Sequence, residues 1–169
     1  MHRIIKAHLD SFVQSQGLAA DEESVQFEKF ATYCVLSSRY SIAFDLDDVS
    51  TGAGEDGIDG IAVVIDEVVT TSAEDANDVF SLPRRNHDVD IQFIQAKRSE
   101  SFDLGDFLKF KEAILRFATQ TPYVVTNEVL VEARQIFDAV VNEVPKVRNG
   151  KRRSTLSLGL VRGSRTTQF

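Results

Sequence analysis

Val89-Asp-Ile-Gln-Phe-Ile-Gln-Ala-Lys97 alternates apolar and polar side chains over its first five residues. That period of two predicts a β-strand, with Val89, Ile91 and Phe93 on one face. Gln95 and Lys97 continue the same face, about 7 Å apart along the strand. An amide and an ammonium buried without partners cost several kcal/mol. The switch therefore fits either a strand end opening into a polar cleft or a strand leaving the core with solvated last residues.

Working outward, Ile61-Ala-Val-Val-Ile65 reads as a second strand, and Val68 to Thr71 pairs back with it across Asp66-Glu67. The Gly/Asp-rich stretch Gly52 to Gly60 is a loop. Helices are expected over about 2–15, over Asp21–Ser38 with Asp21 as N-cap, over 73–80 as a short acidic helix or turn, over Phe102–Thr119, and from a Thr126 or Asn127 cap to about Val144. Phe27, Phe30, Ala31, Cys34 and Val35 form the expected core stripe of the second helix. Leu104, Phe107, Leu108, Lys109, Ala113, Ile114 and Phe117 carry the pattern of the fourth. Further short strands are expected within Tyr40–Asp48, Tyr123–Thr126 and Thr155–Val161. This element order is mixed α/β.

The chain has 169 residues, 43% of them hydrophobic and 27% charged, which suits one globular domain with a core. The expected division is a domain over 1–153 and a tail over 154–169. The longest aliphatic run, Ile61–Ile65, is too short to span a bilayer. Charge enters too early, at Arg3 and Lys6, for a secretory signal. A single cysteine, Cys34, forms no internal disulfide and fits the cytoplasm; it is expected as a small core residue rather than a nucleophile. The net charge of −7 is uneven. Residues 145–169 carry seven basic and no acidic side chains, so the preceding 144 hold twelve basic and all 26 acidic ones. An acidic body does not attract polyanions over its whole surface, so nucleic-acid chemistry here needs local basic groups or divalent cations.

Gly52-Ala-Gly54-Glu-Asp-Gly57 has the spacing of a dinucleotide loop, but a strand follows it and its acids repel phosphate. The same loop lacks the ligand spacing of an EF-hand Ca²⁺ site. Asp59 is the more informative residue. Between Ile58 and Gly60 at the entry to the second strand, it shares the parity of Ile61, Val63 and Ile65. The bland alternative is an ordinary turn aspartate. Asp59, Gln95 and the Ala96 carbonyl supply three oxygens at adjacent strand ends, a set that suits Mg²⁺. Glu28, at the border of the second helix's stripe, is either a solvated rim residue or a fourth contributor.

Glu28, Gly57-Ile58-Asp59-Gly60-Ile61-Ala62-Val63 and Phe93-Ile94-Gln95-Ala96-Lys97 together resemble the PD-(D/E)xK nuclease superfamily. Residues 24–153 also resemble the N-terminal region of the abortive-infection phage-resistance family. The resemblance implies a restriction-endonuclease-like fold, a mixed central sheet flanked by helices, and Mg²⁺- or Mn²⁺-dependent endonuclease cleavage of DNA in phage defence. It implies that Asp59, Gln95 and the Ala96 carbonyl bind metal, that Glu28 holds a cation or its water, and that Lys97 orients or activates the attacking water. Gln95 stands where most of that superfamily has an acid, which leaves the site one negative charge short. A nuclease-like module that no longer cuts, serving DNA or protein binding in a larger defence protein, is the alternative. Arg84, Arg85, Arg98, Lys151, Arg152 and Arg153 are the candidate nucleic-acid contacts, with plain solubility charge as the other reading. Cutting both strands would require a homodimer, an expectation by analogy. Family members also continue beyond this length, so a fragment of a longer protein is expected.

Overall fold

The computed structural model describes residues 3–41, 43–52, 57–84, 86–98, 103–148 and, as backbone, 153–160. Its centre is β1 (Gly60–Ile65), buried along its whole length. β2 (Val68–Thr70) returns antiparallel to it, with Ile65 opposite Val68. Asp66 and Glu67 make the connection with φ of 51° and 68°, the left-handed pair that matches the twist of a two-residue hairpin. β3 (Val89–Lys97) has the bounds expected from its alternation. It runs antiparallel to β1, from Ile65 opposite Val89 to Gly60 opposite Ile94. β4 (Arg153–Leu160) lies parallel on its far side, Asp90 opposite Arg153 and Lys97 opposite Leu160. The sheet order is β2-β1-β3-β4. The sheet thus takes in residues 154–160, beyond the expected domain boundary.

Helices cover both faces, and the mixed α/β class stands. On one face Ile61, Val63, Ile65, Val89, Ile91 and Phe93 pack against α3 (Ala73–Ser81), α4 (Leu104–Thr119) and α5 (Glu128–Asn142). Phe117 is central, its ring 5.3 Å from Phe93 and 5.6 Å from Phe137. On the other face Ala62, Val64 and Ile94 meet Leu36 of α2 (Glu23–Arg39). Burial on both faces explains why β1 reads as a continuous apolar run, while β3 alternates because its Asp90 and Gln92 take up the Tyr40 hydroxyl under α2. α1 (Arg3–Gln16) lies outside α2, with Phe12 5.3 Å from Phe30 and 5.1 Å from Tyr33. Among the described residues no helix is long and apolar enough to cross a membrane.

Several local expectations fail for identifiable reasons. Asp21 is not the N-cap of α2, which begins after Glu22 without a side-chain cap. Its carboxylate instead takes the Lys29 ammonium at 2.9 Å. The buried face of α2 is rotated toward Thr32 and Leu36, leaving Cys34 exposed. Thr32 hides this rotation from an apolar pattern because it is polar yet fully buried. In α4, Phe110, Ala113 and Phe117 are buried while Leu104 and Leu108 are 64% and 51% exposed. Residues 43–48 and 123–126 form no strand. Tyr40 instead donates its hydroxyl to Asp90 at 2.6 Å, and Tyr123 stacks edge-on against Phe117 at 5.4 Å. Asn127 caps α5 as expected, accepting from the Leu130 N–H at 3.1 Å. Its amide also donates to the Thr51 carbonyl at 2.7 Å. That bond ties α5 to the segment that enters β1.

Ser50 faces Gly60 in an isolated antiparallel bridge, and α2 crosses just above. A Cβ on Gly60 would lie 2.5 Å from Thr32 Oγ1 and 3.2 Å from the Val49 carbonyl oxygen. The second of these is backbone and does not rotate away. Gly60→Ala is therefore expected to destabilise the fold by ~1–3 kcal/mol through overpacking, measurable as a lower urea midpoint with an unchanged m-value. A midpoint equal to the wild type would show that α2 is not seated on this strand.

Candidate functional site

The backbone around Asp59 is an extra rung of the sheet. Its N–H donates to the Ile94 carbonyl at 2.9 Å, and its carbonyl accepts from the Thr51 N–H at 3.1 Å. The bond to Ile94 is one residue out of the β1–β3 register, which pairs Gly60 with Ile94, so Asp59 sits in a β-bulge at the entry to β1, and Ile58 rather than Asp59 joins Ile61, Val63 and Ile65 in the core cluster. Asp59 Oδ2 accepts the Ala96 N–H at 2.6 Å. A strand residue's N–H and C=O project to the same edge, so the Ala96 carbonyl also faces the Asp59 side. Burial pushes the Asp59 carboxyl up to about 6, against the opposing pull of the Ala96 hydrogen bond.

Gln95 donates through Nε2 to the Gly57 carbonyl at 3.3 Å. Its Oε1 is buried and has no donor among the described residues. Gly57 holds a φ of 75°, and a Cβ there would be 4.0 Å from both Gln95 Nε2 and the Phe110 nitrogen. This turn, the amide and the second turn of α4 are thus packed together.

Glu28 enters from α2. Its carboxyl is pushed up to about 7, first by burial and then by the Asp59 charge, with Arg98 opposing. One of its oxygens, Oε2, is buried without a donor among the described residues. Thr32 Oγ1, one helical turn on, and Ser50 Oγ are in the same condition. Four acceptor-bearing side chains therefore surround the entry to β1 with oxygens unmatched. Sequence reasoning missed Thr32 and Ser50, since a lone hydroxyl on a helix or in a loop carries no periodic signal.

Lys97 closes β3 two residues beyond Gln95. It shares a strand face with Gln95, but its ammonium donates to Asp106 in the first turn of α4. Asp106 was also missed: on the expected helix it is an ordinary first-turn acid, and only the docking of α4 turns it toward β3.

The candidate nucleic-acid contacts separate. Arg98 is at the site, its guanidinium 5.8 Å from the Phe27 ring centre and 3.1 Å from Glu23. Arg84 is not. It pairs with Asp66 at 3.3 Å, in the β1–β2 turn at the opposite end of β1 from Asp59. Arg153 begins β4 opposite Asp90, also toward the far end of the sheet. Arg85, Lys151 and Arg152 lie outside the described residues. Among the described residues no cluster of three or more His, Cys, Asp or Glu side chains is arranged to hold a metal. The site's oxygens are two carboxylates, one amide and one backbone carbonyl.

No family model, no curated protein and no solved structure matches this chain.

Proposed function

We propose that this protein is a Mg²⁺- or Mn²⁺-dependent endonuclease of restriction-endonuclease-like architecture, acting on DNA in cytoplasmic phage defence. The observation that carries the reading is the pair of buried oxygens at the entry to β1, Glu28 Oε2 and Gln95 Oε1, that find no donor among the described residues, with Asp59 close enough to Glu28 for its charge to raise that carboxyl. Buried acceptors without a donor are costly, and a hard cation is the partner that relieves several at once. The donor set is all oxygen, as Mg²⁺ and Mn²⁺ prefer. Asp59, Gln95 Oε1, the Ala96 carbonyl and Glu28 would hold the ion.

A bound cation supplies Lewis acidity toward the scissile phosphate and lowers the pKa of a water. The chain's own groups supply the rest. Glu28, ionised above about pH 7, accepts a hydrogen bond from the attacking water and orients it. Lys97 offers N–H donors to phosphate oxygens as their charge grows. Arg98, preordered over Phe27, contacts the DNA backbone. Cleavage of both strands would bring two copies of the chain together.

The second reading, a nuclease-like module that binds without cutting, is favoured by the neutral Gln95 and by the engagement of Lys97 with Asp106. Calorimetric titration with Mn²⁺, with and without DNA, separates the two. The nuclease reading expects binding that Asp59→Asn removes and plasmid cleavage that follows the same occupancy. An inert module shows no Asp59-dependent heat.

A further inference from the structure

We propose that Asp106 is the positioning residue for Lys97, holding its ammonium at the mouth of the site as a fixed cation for a DNA phosphate. The proposal rests on the nuclease reading above and adds a residue and a role to it.

Two elements distant in sequence converge here. Lys97 is the last residue of β3, two positions beyond Gln95 on the same face. Asp106 is in the first turn of α4, whose N-cap Asp103 accepts the Gly105 N–H at 2.6 Å. The cap fixes where that turn begins, and the burial of Phe110 in the core with Ile58 and Phe93 fixes where the helix lies. Lys97 is mostly buried and Asp106 about two-fifths exposed, so the pair forms at the rim, its carboxylate on the outer side. The ion pair holds the Asp106 carboxyl below the usual carboxylate range.

An ammonium has three N–H donors. Among the described residues Asp106 occupies one, which leaves two for phosphate oxygens. A lysine side chain without such an anchor samples many rotamers. The carboxylate that anchors Lys97 also repels the incoming polyanion. Asp106 should therefore favour the chemical step at the expense of ground-state binding. A residue needed only for folding would not divide its effects that way.

The test is steady-state cleavage of a DNA duplex in Mn²⁺ by the wild type, Asp106→Asn, Asp106→Glu, Lys97→Ala and the double variant Lys97→Ala/Asp106→Asn. Asp106→Asn is expected to lower kcat about tenfold, as loss of positioning does, while KM for DNA falls rather than rises. Asp106→Glu recovers most of kcat. In the Lys97→Ala background the Asp106→Asn change has no further effect on kcat, the signature of a coupled pair. A second readout needs no turnover: fluorescence anisotropy with a labelled duplex in cation-free buffer should show tighter binding by Asp106→Asn and weaker binding by Lys97→Ala. An unchanged kcat in Asp106→Asn, or an equal fall when Lys97 is already alanine, overturns the role of Asp106 and leaves the nuclease reading intact. A wild type that does not cleave overturns both.

Discussion

Asp59→Ala is expected to lower Mn²⁺-dependent DNA cleavage by on the order of a thousandfold or more. The basis is the several kcal/mol that a correctly held cation contributes to the transition state, with each ~1.4 kcal/mol worth a factor of ten. Asp59 is central to the proposed site. Its Oδ2 is tied to the Ala96 N–H at 2.6 Å, its own N–H is held by the Ile94 carbonyl at 2.9 Å, and its charge reaches Glu28 on α2. Asp59→Asn separates charge from shape, because its amide oxygen can still accept the Ala96 N–H. If the carboxylate's charge is what matters, Asn is as damaging as Ala. If only the loop geometry matters, Asn keeps most of the activity. The assay is supercoiled plasmid with Mn²⁺, scored for nicked and linear product across a range of cation concentrations. Cleavage that persists undiminished in both variants would sink the proposed centre. A loss rescued by higher Mn²⁺ in Asn but not in Ala would locate the effect in ion affinity.

What was legible in the sequence follows from what local periodicity can carry. β3 was readable to the residue because one of its faces is apolar up to Phe93 and polar from Gln95. β1 was readable because five consecutive aliphatic residues leave few alternatives. Gln95 and Lys97 lie at the end of β3, where its alternation puts them, but parity with Ile61 does not carry back to Asp59, because its bond to the Ile94 carbonyl slips the register by one residue. The orientation of α2 could not be read, because its sheet-facing row includes Thr32, and the gap that admits Thr32 is the missing side chain of Gly60 on another element. The partner of Lys97 was hidden for the same reason. Nothing within a turn of Asp106 marks it, and its role depends on where Phe110 and Phe117 seat α4 on the sheet. Arg84 illustrates the converse error. A basic residue near the strand in sequence was grouped with the site, yet the chain direction puts it at the other end of β1, on Asp66.

Glu28→Gln is expected to make the metal-free protein more stable at pH 8 while leaving it close to the wild type near pH 4. The sign follows from linkage. Burial and the neighbouring Asp59 raise the Glu28 carboxyl from 4.5 to about 7 in the folded state, and burial raises Asp59 from 3.8 to about 6. The folded protein thus holds these protons more tightly than the unfolded chain, and their contribution to stability falls as pH climbs from about 4 to about 7. Most carboxylates act the other way. Asp66, held below its usual range by His87 and its other donors against the effect of burial, loses stabilisation as the pH falls. The comparison must therefore be between wild type and variant at each pH, since neither curve alone isolates Glu28. A pKa unit corresponds to ~1.4 kcal/mol. Allowing for water that reaches a half-buried carboxyl, the advantage of Glu28→Gln at pH 8 should be ~1–2 kcal/mol. Added Mn²⁺ should reverse the order at pH 8, because the ion binds the folded wild type through the deprotonated carboxylates and stabilises it by mass action. The variant, one charge poorer, gains less. Urea denaturation at pH 4, 6 and 8, with and without Mn²⁺, reads both effects. A constant offset between the two proteins at every pH would mean that the fold leaves the Glu28 carboxyl at its ordinary value. An Mn²⁺ response equal in both would remove Glu28 from the cation's ligands.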